Sequence, residues 1–188
     1  MSQQTIFVSQ VVFCSREPVF FQERAGREAS PSAAIIDSQG VKTTESGGVR
    51  GYDAGKKIKG CKRHALVDPD CRALKPHVHA SSVQDRDGAG PLLRASRPRW
   101  PFVQIACADA GHQGPRVATS SPMRVEIVRK SDGQIGLAVI ARRWVVERFL
   151  AWINRNRRPA KDFERTIASA KTFLYAASAM LFLRRPAR

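Results

Sequence analysis

Two short apolar runs, each followed at once by an aspartate, constrain this chain more than any other feature. Ala33-Ala34-Ile35-Ile36 leads into Asp37, and Phe102–Ala108 leads into Asp109. Short continuous apolar runs of this kind predict buried strands inside a sheet, each ending at its carboxylate. Between them, Lys62–Ser81 reads as two strands joined by a turn at Asp68-Pro69-Asp70-Cys71, with proline at the second turn position. Thr43–Gly60, rich in Gly and Lys, reads as a loop, and Asp85–Ser96 as a short helix. Gly114–Ser121 reads as a helical turn and Arg124–Lys130 as a further strand. From Arg142 onward Val146, Phe149, Leu150 and Ile153 form an apolar helical stripe. Pro159 is expected to break or kink that helix. A second helix carries Phe163, Ile167, Ala170, Leu174, Ala177 and Leu181 on one face. The order strand, hairpin, helix, strand, strand, helix predicts an α/β fold with a mixed sheet and a long C-terminal helical segment. Residues 1–30 show no sustained period and read as an irregular N-terminal segment. Residues 31–188 read as the folded domain.

Charge narrows the partner. Lys and Arg total 32 against 16 Asp and Glu, a formal net charge of +16. Such an excess favours a polyanion as partner. A hydrophobic fraction of 43% is too high for a disordered basic tail. Cys14, Cys61, Cys71 and Cys107 form no CxxC pair, so reduced thiols in a cytoplasmic protein are expected. The N-terminus lacks a basic region before its short apolar stretch and is a poor signal peptide. Thr172–Leu183 is too short to span a bilayer and is expected to pack as a core helix, so no membrane partner is expected.

The carboxylates leave two readings open. If the two aspartate-ending strands lie side by side and parallel, Asp37 and Asp109 come close together. They would then repel and shift each other's pKa unless a cation intervenes, and Mg²⁺ suits hard oxygen ligands. Glu147 shares a helix strip with Arg143, Ala151, Asn154 and Arg158, and a helix packed on the sheet can bring it to the same edge. Three such carboxylates can hold a pair of ions for phosphoryl transfer, with Arg and Lys around them for a nucleic-acid backbone. Equally, an aspartate after a strand is commonly a cap or turn residue, and Glu147 commonly a solvated i,i+4 partner of Arg143.

The segments Ala34–Asp68, Val83–Ser96, Ala108–Ser120 and Arg142–Ser169 resemble the catalytic domain of bacterial insertion-sequence transposases of the DDE (Asp-Asp-Glu) insertion-sequence-five type. The resemblance runs from about Arg27 to the C-terminus and its motifs are dense and in order. It implies a ribonuclease-H-like fold. It also implies Mg²⁺-dependent cleavage of double-stranded DNA at the element's ends, with Mn²⁺ able to substitute, then transfer of the freed 3′-hydroxyl to target DNA. Asp37, Asp109 and Glu147 match the three acids, which are thereby expected to be the metal ligands and catalytic groups. Arg143 is the basic companion of the third. Lys56, Lys57 and Lys59 in the first basic loop, with Arg155, Arg157 and Arg158 after the helix, are expected to contact DNA. A cytoplasmic, nucleoid-associated protein follows, and a homodimer on DNA is compatible with that chemistry.

Several positions depart from the family pattern. Residues 1–26 do not resemble the family's end-recognising N-terminal region, so an N-terminally truncated copy is expected. His112 replaces a tyrosine and Cys61 an arginine. Cys71 replaces a glycine; if that turn needs positive φ, cysteine costs about 1 kcal/mol there. Pro159 replaces an apolar helix former, and inside a helix proline costs roughly 3 kcal/mol. A second reading is therefore a catalytically inactive, truncated remnant that binds DNA without turnover. Gly48–Lys57 fails the phosphate-loop pattern, because Arg50 stands where the first glycine belongs and Lys57 where Ser or Thr belongs. Cys61, His64, Cys71, His77 and His79 read as alternating strand residues rather than a zinc site. Asp85 and Asp87 read as helix-start acids, and His112 as a loop residue.

Overall fold

The first strand does not stop at its aspartate. In the computed structural model, which describes residues 30–45, 47–129 and 142–184, β1 runs Ala33–Lys42. Its second half continues because β3 (Ile58–Val67) pairs with it antiparallel through Lys42, with Asp37 opposite Ala65 and Gly40 opposite Lys62. Asp37 is thus a mid-strand residue, and only the apolar half of β1 was visible as a strand. Within the expected loop, β2 (Gly51–Asp53) pairs with Ile58–Gly60. Three residues without apolar alternation leave too little pattern to read.

The hairpin forms as expected, with β4 (Ala73–Ala80) antiparallel to β3. The amide of Cys71 donates to the Asp68 carbonyl, and Cys71 takes φ 69. That turn therefore does need the left-handed region, where a side chain costs about 1 kcal/mol. Pro76 is accommodated because β4 is an edge strand. The second apolar run forms β5 (Ile105–Ala108), parallel to β1 with Ile35 opposite Cys107. β6 (Arg124–Ile127) extends the sheet in parallel. The six strands run β2-β3-β1-β5-β6, with β4 beside β3. An antiparallel meander followed by parallel strands is the mixed, ribonuclease-H-like sheet that was expected.

Helices cover both faces. α1 (Asp85–Ser96) packs Ala89, Leu92 and Leu93 against Ala34, Ile36, Leu66, Ala106 and Ala108. Behind the sheet, α3 (Trp144–Ile153) buries Val146, Phe149, Leu150 and Ile153. With α4 (Ile167–Arg184), it covers Ile35, Ala65, Val67 and Cys107. A short 3-10 turn, Ala110–His112, and α2 (Pro115–Ser120) connect β5 to β6.

Two expectations about the C-terminal half need correction. α3 ends at Ile153, before Pro159, so proline neither breaks nor kinks it. Pro159 is buried in the following turn, where its carbonyl accepts a hydrogen bond from Arg63. Phe163 precedes α4 and is exposed, whereas Ala170, Leu174 and Ala177 are buried as anticipated. The segment before α4 is tied to the end of β1: Thr44 N–H donates to the Asp162 carbonyl, and Thr43 Oγ1 donates to the Asp162 carboxylate at 2.8 Å. No helix among the described residues is long and apolar enough to cross a membrane. The irregular N-terminal segment through residue 29, Cys14 included, lies outside the described residues.

Candidate active site

Strand alternation decides which carboxylates can meet. Ile35 and Cys107 point into the core beneath α3 and α4. Asp37 and Asp109, each two residues further on, therefore emerge on the same side, just past that core. The parallel pairing of β1 with β5 sets the two side by side. α3 lays its apolar stripe on the same face, which brings its first turn to the two aspartates.

One guanidinium nitrogen then joins all three acids. Arg143 Nη2 lies 3.8 Å from Asp37 Oδ2, 3.8 Å from Asp109 Oδ2 and 3.3 Å from Glu147 Oε1. The side chains of Asp37, Asp109 and Arg143 are 14%, 27% and 18% exposed, and Glu147 is half exposed. Glu147 is thus the i,i+4 partner of Arg143, as the simpler reading held, while the same nitrogen also touches both aspartates.

The aspartates differ in their electrostatics. Burial pushes the Asp37 carboxyl above its usual range and the Asp109 charge adds to this, against the Ser38 amide, His112 and Arg143. The Ser38 N–H donates to Asp37 Oδ1 at 2.6 Å. Asp109 moves the other way. A hydrogen bond from His112, with the fields of His112 and Arg143, holds it below the usual carboxylate range despite burial. Two neighbouring carboxylates driven apart in this way mark a candidate functional site.

That donor set suits a divalent ion. It offers only hard oxygens, from groups that a positive charge already bridges. The acids stand around Arg143 at wider spacing than a metal shell, and no group of three or more His, Cys, Asp or Glu among the described residues has metal-ligand spacing as it stands. Cys61 and Cys71 face the core under α3 and α4. His64 and His79 lie on the other face, where both rings meet the position of a Cβ at Gly88.

The expected DNA contacts divide into two groups. Lys57 and Lys59 project into solvent beside β2, and Arg155 and Arg157 do so in the turn after α3. Lys56 and Arg158 are engaged within the protein. Lys56 Nζ lies 3.2 Å from Ser38 Oγ and 3.4 Å from Asp85 Oδ2. Arg158 Nε donates to Glu164 Oε1 at 2.7 Å, with its guanidinium over the Phe173 ring. Asn154 caps the end of α3 and donates to Gln39 Oε1 at 3.0 Å, which fixes the exposed arginine turn against β1.

Two features escaped the sequence reading. His112 is a fully buried residue of the 3-10 turn, hydrogen-bonded to Asp109. Its place three residues after that acid and its replacement of a tyrosine were its signals, and neither announces its burial. Asp85 does begin α1, but it also binds Lys62 Nζ at 2.8 Å. No sequence spacing announces that pair, because the fold alone brings them together.

Comparison with known proteins comes to the same region of the chain. The family model described as "Transposase DDE domain" matches residues 28–183. A search of curated proteins returns no match. Among solved structures, the chain is similar to the Mos1 transposase paired-end complex with the left transposon end. That likeness has 12% identity and a TM-score of 0.32, over 66% of this chain and 42% of that one.

Proposed function

The chain belongs to the transposase DDE-domain family, and from that membership we propose that it cleaves DNA strands at insertion-sequence ends and transfers the freed 3′-hydroxyl to target DNA. Asp37, Asp109 and Glu147 are assigned as the carboxylates that hold Mg²⁺, with Mn²⁺ as a substitute. The observation that carries this reading is the single Arg143 nitrogen within 3.8 Å of all three acids. Acids from a central strand, a strand end and a helix share one counter-charge, so they are available to share another.

A bound divalent ion supplies stabilisation of the charge developing at phosphorus and a more acidic attacking oxygen. The protein's own groups do the rest. Asp109, kept ionised by His112, and Asp37, turned by the Ser38 amide, present oxygens toward α3. Arg143 offsets part of the charge of the three acids and would be placed to pair with a scissile phosphate were those acids to hold a metal. Lys57, Lys59, Arg155 and Arg157 are assigned to the DNA backbone, while Lys56 and Arg158 brace the protein itself. Pairing two such sites on DNA would make a homodimer the working unit.

The remnant reading is the weaker one, because it gained most if Glu147 stood far from the aspartates. The test is nicking of supercoiled plasmid carrying the element's ends, with Mg²⁺ or Mn²⁺. Asp37→Asn, Asp109→Asn and Glu147→Gln are each expected to abolish nicking while duplex binding persists. A variant that still nicks at the wild-type rate removes its residue from the assignment, and a wild type that binds but never nicks favours the remnant.

A further inference from the structure

We propose that His112 is a positioning residue for the Asp109 carboxylate, holding one oxygen so that the other faces Arg143 and Asp37. The inference rests on the reading of Asp109 as a metal-binding carboxylate. The local geometry is built for it. The His112 amide donates to the Asp109 carbonyl at 3.1 Å, closing the 3-10 turn, and this folds the His112 ring back onto the acid. Nδ1 then lies 2.5 Å from Asp109 Oδ1. A carboxylate only accepts, so the ring must carry its proton on Nδ1. Asp109 Oδ2 is left to face Arg143 Nη2.

The ring itself is held firmly. Its side chain is fully buried and packs edge-on against His64, with centroids 5.8 Å apart. His64 is likewise buried and packs against His79 at 4.8 Å. Gly88 of α1 closes over both, since a Cβ there would lie 2.7 Å from His64 and 2.6 Å from His79. A hydrogen bond from a ring that cannot rotate fixes the carboxylate's orientation, and losing such supporting contacts to ligating groups typically weakens metal binding about tenfold to a hundredfold.

A plain core-filling role is the alternative, and two variants of the full chain separate the roles. His112→Phe keeps a ring and removes the donor. His112→Asn loses the ring but keeps an amide N–H where Nδ1 was. Mn²⁺ affinity is read by electron paramagnetic resonance of the free ion, alongside thermal melting and the steady-state nicking parameters. The proposal expects His112→Phe to melt cooperatively, to bind Mn²⁺ about tenfold or more weakly, and to lose kcat with KM for DNA unchanged. His112→Asn should recover most of the Mn²⁺ affinity despite a lower melting temperature. A folded His112→Phe with wild-type Mn²⁺ affinity overturns the proposal, and so does His112→Asn binding no better than His112→Phe. Should His112→Phe fail to fold, His112→Asn against His112→Ala decides, because both lose the ring and only one donates. Equal affinities there overturn it. A wild type that binds no Mn²⁺ overturns the carboxylate reading itself, and the proposal with it.

Discussion

At the scale of single residues, the sheet face away from the acids is organised around one buried ammonium. Lys62 Nζ, with its side chain 3% exposed, lies 2.9 Å from Asp53 Oδ2 and 2.8 Å from Asp85 Oδ1, and donates to the Val83 carbonyl at 2.9 Å. Burial alone would lower its pKa, but the hydrogen bonds it donates to Asp85 and Asp53 win and raise it. Burial likewise opposes the charge on Asp85, yet the Lys62 and Ser38 contacts hold its carboxyl far below the usual range. The signs follow directly. The Lys62 contribution to stability is complete below its unfolded pKa, about 10.4, and is lost as pH rises through the higher folded value. The Asp85 contribution is present above about pH 3.9 and is lost as pH falls through the depressed folded value. Lys62→Met should cost about 3 kcal/mol at neutral pH, because it removes the closest counter-charge of two carboxylates, and should flatten the alkaline loss of stability. Denaturant melts at pH 7 and above pH 10 measure both, and a variant within about 0.5 kcal/mol of wild type contradicts the account. None of this was legible beforehand, since Asp53, Lys62 and Asp85 meet only through strand pairing and helix docking.

At the scale of elements, apolar pattern predicted well and polar pattern poorly. The buried half of β1, β5, the β3–β4 hairpin and the α3 stripe were all visible, because each buries a continuous or periodic apolar set. The polar second half of β1 was not, since its pairing with β3 is made by backbone groups that any side chain allows. Pro159 misled for a related reason: α3 stops at Ile153, and a proline read as a helix fault is a turn residue held by Arg63. Gly88 carries the clearest consequence for an element. Glycine inside an exposed helix normally costs about 1 kcal/mol relative to alanine, so Gly88→Ala would ordinarily stabilise. Here the added methyl meets the buried ring of His64 and the half-buried ring of His79 at under 3.0 Å. Gly88→Ala is expected to destabilise by about 1–3 kcal/mol instead, as overpacked cores do. A chemical melt showing it equal to or more stable than wild type would mean that α1 does not press on the histidines.

At the scale of the whole molecule, the charge and the acids have a common explanation. A chain with net charge +16 suits a polyanion, yet on one face of its sheet it gathers Asp37, Asp109 and Glu147 around one arginine. The sequence showed the three acids, and the family resemblance grouped them; only the fold shows that β1, β5 and α3 bring them to a single nitrogen. The supporting His112 and the internal ties of Lys56 and Arg158 needed tertiary structure. The most direct test of the three-acid centre is Mn²⁺ titration of the intact protein, followed by electron paramagnetic resonance, for wild type and for Asp37→Asn, Asp109→Asn and Glu147→Gln. The account predicts saturable binding by wild type and at least about tenfold weaker binding by each folded variant. Wild-type affinity in Glu147→Gln would contradict it, leaving Glu147 as no more than the surface partner of Arg143.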